Sequence, residues 1–194
     1  TRAWKTTNWL CTQAGLTPPS DDANVKNHYE HTIDKLIKHI YVTPHKAKTP
    51  TMAIIRALEH ATVHSHPTDQ YAAAVFRFQA GSSSRYNDLQ HASPSTMVHT
   101  ADTIEITPWQ TKSMHILDQN KRTPLICPRH TFTGVPWWEP LTKGAAHLCT
   151  QPGFEDMDYL LPAPGKHRTT LLPRPATYPQ ALAWCRTLLS MNGT

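Results

Sequence analysis

Paired cysteines are missing from this chain. Its four cysteines, Cys11, Cys127, Cys149 and Cys185, are far apart and no Cys-x-x-Cys occurs. That spacing argues against a disulfide framework and against a thiolate zinc knuckle, and it predicts reduced, largely buried thiols in an intracellular protein. No run of about 18 apolar residues is present, which excludes a membrane-spanning helix. The first residues, Thr1-Arg2-Ala3-Trp4, have neither an initiator Met nor the apolar core of a signal peptide, and they read as the start of a piece of a longer chain. No internal repeat is visible. Glycine is scarce, at 7 residues against 17 prolines, so extended and turning segments are expected in number.

The chain does hold enough residues for one large domain or two small ones with a real core. Its apolar fraction of 39% is low without indicating general disorder. Formal net charge is +5 and the pI is about 9.1, a basic bias compatible with a polyanionic partner. The 13 histidines would add positive charge below about pH 6.5.

Apolar spacing locates the elements. A weak helix is expected over 4–14, with Trp4, Trp9 and Leu10 as packing residues, then a loop over 16–22. Ile33, Leu36, Ile37 and Ile40 form an amphipathic stripe with Lys35 and Lys38 on the other side. Residues 43–49, polar and broken by Pro44, read as a linker. A helix then starts at Pro50, with Thr49 as its cap and Met52, Ile55 and Leu58 inward. An alanine-rich helix over 69–79 ends at Gly81. Alternation over 96–99 and 103–107 around Ala101-Asp102 predicts a β-hairpin, with a third strand over 113–117. Residues 120–134 read as a loop around Leu125-Ile126-Cys127, and 136–174 as irregular and proline-rich. A last helix is expected over 179–191, with Leu182, Cys185 and Leu189 inward and Gly193 as its stop. Helices, then a small antiparallel sheet, then loops and a helix indicate an α+β, mainly α class.

The chemically suggestive stretch is Gly81-Ser82-Ser83-Ser84-Arg85-Tyr86-Asn87-Asp88-Leu89. With a serine as N-cap, Arg85 lies in the first turn of a helix and Asp88 one turn on, near the same face. A guanidinium near free backbone N–H groups suits a phosphate, whereas an Arg and an Asp at this spacing also suit a plain surface ion pair. His28-x-x-His31 and His64-x-His66 invite a metal, but no cysteine pair completes a zinc site, so solvated histidines are the default and no metal is assigned. Glu155, Asp156 and Asp158 form an acidic cluster, read as a solvated turn over a two-carboxylate hydrolase. Trp137-Trp138 reads as packing under a loop, with an aromatic platform for bases as the alternative. Lys121-Arg122, Arg129 and Lys166-His167-Arg168 are basic loops suited to tracking phosphates.

Taken in order, these residues resemble the tyrosine recombinase (phage-integrase-like) family, and within it the branch carried by eukaryotic retroelements. Gly81, Arg85, Asp88 and Leu89 match that family's Gly-to-Arg turn with an acidic residue three positions on and a leucine after it, although the Gly-to-Arg spacing is longer here. The stretch from Lys46-Ala47-Lys48-Thr49-Pro50 to Leu58-Glu59 resembles its linker and first catalytic-domain helix. Lys112, in Trp109-Gln110-Thr111-Lys112, matches its hairpin lysine. Residues 177–189, with Ala181-Leu182-Ala183-Trp184-Cys185-Arg186, resemble the helix before the second half of its active site.

The resemblance implies a core-binding-like segment and linker over 1–46 and a catalytic-like domain with a small sheet over 47–194. It implies duplex DNA as partner, the nucleus as location, a homo-oligomer on DNA, and no metal or nucleotide cofactor. Arg85 would clamp the phosphorane oxygens, Lys112 would protonate the leaving 5′ oxygen, and Asp88 would orient the Arg85 region. Lys46, Lys48, Lys121, Arg122, Arg129, Lys166 and Arg168 would contact DNA. The family's His-x-x-Arg does not occur in these 194 residues, because no histidine has an arginine three positions later. Strand transfer therefore calls for residues beyond Thr194. The alternative is a non-catalytic structural or interaction protein of recombinase-like fold, working with protein partners in a larger assembly.

Overall fold

A computed structural model describes residues 2–15, 50–110 and 123–192, with a few single positions between 18 and 26. The chain divides into two compact units, Thr1–Lys48 and Thr49–Thr194. In the first unit the described structure is chiefly helix α1 (Arg2–Gln13), with Trp9 and Leu10 exposed. The Ile33–Ile40 stripe and the 43–49 linker lie outside the described residues, as do Lys46, Lys48 and Thr49.

The second unit is mixed α+β. Helices α2 (Met52–His64) and α3 (Pro67–Ser82) come first, then the one-turn α4 (Tyr86–Leu89). Strands β1 (Val98–His99), β2 (Thr103–Ile106) and β3 (Leu125–Pro128) follow, then α5 (Trp138–Leu148), the pair β4 (Pro162–Pro164) and β5 (Leu171–Pro175), and α6 (Tyr178–Met191).

Helix α3 is the axis of this unit. Ala72, Ala73, Ala74, Val75 and Phe78 have no exposed surface, and Tyr71 and Phe76 almost none. A helix apolar on every side must be enclosed, and α2, β3, α5 and α6 all pack on it. Its small alanines allow close approach. At Gly144 of α5 the approach is close, since an added Cβ would stand 2.5 Å from the Tyr71 ring. Trp137 and Trp184 are the largest side chains enclosed around this axis, each sequestering roughly 150–250 Å².

Several boundaries differ from the sequence reading. The cap of α2 is Thr51, extended at φ −73° and ψ 160°, and its Oγ1 accepts from the Ile54 N–H. This start buries Ile55 and Leu58 but leaves Met52 46% exposed. Gly81 sits inside α3, and Ser83, at φ 54°, makes the left-handed stop, its N–H reaching the Gln79 carbonyl. The β1–β2 hairpin forms as expected, with Val98 opposite Glu105 and His99 opposite Ile104. The strand expected over 113–117 lies outside the described residues. Among the described residues a strand at Leu125–Pro128 lies antiparallel to β2, with Ile104 opposite Cys127, in a stretch read as loop.

The largest correction is over 136–174. It holds an 11-residue helix and a two-stranded antiparallel sheet, β4–β5, with a bulge at Pro162. Pro140 stands in the first turn of α5, where the N–H it lacks would have no intrahelical partner. The prolines of β4 and β5 occupy a sheet made only of edges, the place where strands tolerate them. In α6 the buried residues are Ala181, Trp184 and Leu188, one position off the stripe read from sequence.

Candidate nucleic-acid interface

Three segments of the second unit carry the candidate cations: the turn after α3, the chain around β3, and the β4–β5 turn. At the first, Arg85 itself is the N-cap of α4, extended at φ −76° and ψ 154°. The expected serine cap is not used, because the left-handed Ser83 moves the helix start two residues on. Asp88 is buried, and its carboxylate accepts the Arg85 backbone N–H at 3.0 Å. The Asp88 charge thus holds the backbone at position 85. The Arg85 side chain is exposed and has no hydrogen bond or ion pair among the described residues. The surface ion pair that the spacing allowed does not form. A four-residue helix has little dipole, so any anion grip here belongs to the guanidinium itself.

This turn is bolted down on both sides. The Tyr86 hydroxyl donates to the Ala176 carbonyl, and the Tyr86 ring meets Tyr178 edge-on at 5.5 Å. The Gln90 amide donates to the Leu161 and Ala176 carbonyls at 3.3 and 3.1 Å, and the Leu160 N–H reaches the Leu89 carbonyl at 2.9 Å. Toward the sheet, the Trp109 N–H donates to the His91 carbonyl at 2.7 Å, with the two rings edge-on at 4.6 Å. The Trp109 indole donates to the Asp158 carbonyl at 2.9 Å. The end of β2 is therefore fixed to the end of α4. Lys112, three residues beyond Trp109, lies outside the described residues, as do Lys121 and Arg122.

Around β3, sequence reasoning missed the governing feature, a buried charge pair. Glu59 is fully buried and Arg77 nearly so, with 3.0 Å from Nε to Oε1. The other Glu59 oxygen accepts from the Phe132 N–H, the Thr133 N–H and the Thr133 hydroxyl at 2.9, 3.0 and 2.8 Å. Arg77 also donates to the His130 carbonyl at 3.1 Å, as the Trp137 indole does at 3.3 Å, and its guanidinium lies 4.9 Å from the Trp137 ring centre. The pair thus clamps the loop between β3 and α5 onto α2 and α3. Cys127 is enclosed beside it, and burial pushes its thiol up to about 11 while the Arg77 guanidinium opposes the rise. The signal for this cluster was present in the sequence: Glu59 occupies a position four after Ile55 and three before Thr62, on the inner face of α2.

The Trp137-Trp138 pair divides. Trp137 is entirely buried, as the packing reading expected. Trp138 is half-buried and lies under the Arg129 guanidinium at 4.5 Å.

At the β4–β5 turn, Lys166 and His167 are exposed. Arg168 is left-handed at φ 57°, and its Nε stands 3.4 Å from the buried Asp69 carboxylate. That carboxylate also accepts from the Trp184 indole, and the Thr68 hydroxyl donates to the Arg168 carbonyl. Arg168 therefore ties the turn to α3 and α6, with its charge committed to Asp69. Glu155, Asp156 and Asp158 are exposed, and the Glu155 carboxylate closes a turn by accepting the Gly153 N–H. His66 caps α3 through its Nδ1, which accepts the Thr68 N–H. His28 and His31 lie outside the described residues. Among the described residues no three His, Cys, Asp or Glu side chains stand together as metal ligands, and no helix is long and apolar enough to cross a membrane.

No protein-family model, no curated protein and no solved structure matches this chain.

Proposed function

We propose that this chain is a DNA-binding module of tyrosine recombinase type, in which Arg85 neutralises a backbone phosphate. One observation carries the reading: the Arg85 guanidinium is exposed and, among the described residues, unpaired, while the buried Asp88 carboxylate holds its backbone. Arg77 and Arg168 are instead committed to carboxylates within the fold. A cation meant for an external anion is left open on a rigid base, so that little ordering remains for the moment of binding.

Further support is the order of elements, a short Arg turn followed directly by a three-stranded antiparallel sheet and tied to it through His91 and Trp109. In the reaction the resemblance implies, a tyrosine oxygen attacks a phosphodiester and the phosphorane gathers negative charge on its equatorial oxygens. A planar fork of N–H donors matches that geometry, and Arg85 supplies it. Lys112 is assigned the proton for the leaving 5′ oxygen. The 194 residues contain no His-x-x-Arg, so the role proposed for them is binding and charge neutralisation.

The test is fluorescence anisotropy on duplex DNA across a salt series. The expected result is binding at low salt, weakened about tenfold by Arg85→Ala with the circular dichroism unchanged. Absence of binding at about 50 mM salt would end the proposal, since phosphate contacts are strongest there.

A further inference from the structure

The clearest donor set left without an acceptor, apart from Arg85, is at the end of β3. Arg129 follows Pro128, and three contacts fix it. Its backbone N–H donates to the Asp102 carbonyl at 2.8 Å, its Nη1 donates to the Thr100 carbonyl at 2.5 Å, and its guanidinium lies on Trp138. The β1–β2 turn and the first turn of α5 thus hold the guanidinium between them. Nη1 is occupied, whereas Nε is shut away from solvent with no acceptor, and Nη2 has none among the described residues. On the side-on edge of the fork, Nη2 is the donor open to an external oxygen, since Nε beside it is buried.

Among the described residues no carboxylate reaches this edge to form an ion pair. In Arg77 the same edge is filled, Nε by Glu59 and Nη2 by the His130 carbonyl. Arg129 lines a cavity of about 330 Å³ together with Ala101, Asp102, Pro128, His130 and Trp138. The Asp102 side chain is exposed and makes no hydrogen bond or ion pair among the described residues. It lines the cavity as a negative charge.

We infer that this cavity is a second anion subsite, in which Arg129 takes one backbone phosphate of bound DNA and Asp102 acts as a built-in countercharge that weakens the grip. The inference rests on the DNA reading above and adds to it a defined contact and the residue that limits it. The indole beneath the guanidinium fixes the plane of the fork, and the Thr100 carbonyl fixes its rotation, so the edge is oriented before the anion arrives. The exposed His130, held edge-on to Phe132 at 4.9 Å, lines the same cavity.

The experiment is a salt titration of duplex-DNA binding by wild type, Arg129→Gln and Asp102→Asn. Each phosphate contact contributes about 0.9 to the slope of log K against log salt. Arg129→Gln is expected to reduce that slope by about 1 and to weaken binding about tenfold. Asp102→Asn is expected to tighten binding about threefold at low salt, because it removes a like charge beside the anion. Arg129 also covers Trp138, so thermal melts accompany both variants. If Arg129→Gln unfolds, Asp102→Asn decides alone, since its side chain holds no hydrogen bond or ion pair among the described residues. DNA binding with an unchanged Arg129→Gln slope, or with no gain from Asp102→Asn, overturns the subsite and leaves the Arg85 proposal standing. Failure of the wild type to bind at about 50 mM salt removes both.

Discussion

Glu59→Ala tests the energetics of the second unit most directly. It removes a carboxylate that faces four donors: Arg77 Nε, two backbone N–H groups and the Thr133 hydroxyl. The first consequence is a buried cation that keeps the His130 carbonyl but has lost its countercharge, and breaking a buried pair in this way costs about 3–5 kcal/mol. The second is the loss of an acceptor for the Phe132 and Thr133 N–H groups, about 1–3 kcal/mol each when nothing replaces it. Phe132 is 41% exposed, so water can reach this loop once it loosens, and the second loss is partly recovered. A net loss of about 4 kcal/mol follows, a large part of the roughly 5–15 kcal/mol that holds a domain. Arg77→Met should cost less, because Glu59 then keeps three of its four donors. In Glu59→Leu combined with Arg77→Met, an apolar pair fills the space and no charge is stranded, so the double variant should be more stable than Glu59→Ala. Urea unfolding followed by circular dichroism and tryptophan fluorescence measures all three. A Glu59→Ala loss under about 1 kcal/mol, or a double variant no more stable than Glu59→Ala, would refute the clamp.

Two further outcomes follow from packing and titration. Burial keeps the Cys127 thiol protonated up to about pH 11, against an ordinary value of 9.0. The stability this contributes is fully present below about pH 9 and is lost as pH rises to about 11, at about 1.4 kcal/mol per unit. Cys127→Ala should flatten the decline between those limits relative to wild type in pH-dependent urea melts, and parallel curves would count against it. Gly144→Ala drives a methyl to 2.5 Å from the Tyr71 ring. Overpacking of this kind costs about 1–3 kcal/mol, read as a lowered melting temperature, and an unchanged melt would mean that α3 and α5 can part there freely.

What could be read from sequence was periodic, and what could not was mostly proline and charge. The hairpin over 98–106 was legible because polar and apolar residues alternate about a polar turn. Helix α6 was legible too, but its register was not. Leu182, Cys185 and Leu189 and the buried Ala181, Trp184 and Leu188 are parallel stripes with identical spacing, and the choice is made by the Trp184 indole reaching the buried Asp69. Helix α5 was hidden by Pro136 and Pro140, which punctuate a sequence yet are harmless before and within a first turn. At the candidate site, the Arg85–Asp88 spacing was legible, and the direction of the interaction was not. Asp88 takes the backbone N–H of residue 85 and leaves the guanidinium free.

Counting cations misjudges an interface, because folding decides which of them remain available. Arg77, Arg129 and Arg168 look alike in the sequence. Arg77 lies beside a buried glutamate and cannot leave it. Arg168 is committed to Asp69 and secures the β4–β5 turn. Arg129 is held by a carbonyl and an indole, neither of which neutralises it. A partner anion gains nothing from the first without stranding Glu59, and little from the second, whereas the third and Arg85 keep their full charge. Of these four, it is Arg85 and Arg129 whose charge stays available to a polyanion, each held by uncharged groups or through its own backbone. The ion-paired arginines supply the rigidity of the β3–α5 loop and the β4–β5 turn. On the proposed DNA-binding reading, binding and stability fall to different side chains of one residue type, and substitutions in the two sets are expected to separate salt-dependent affinity from unfolding.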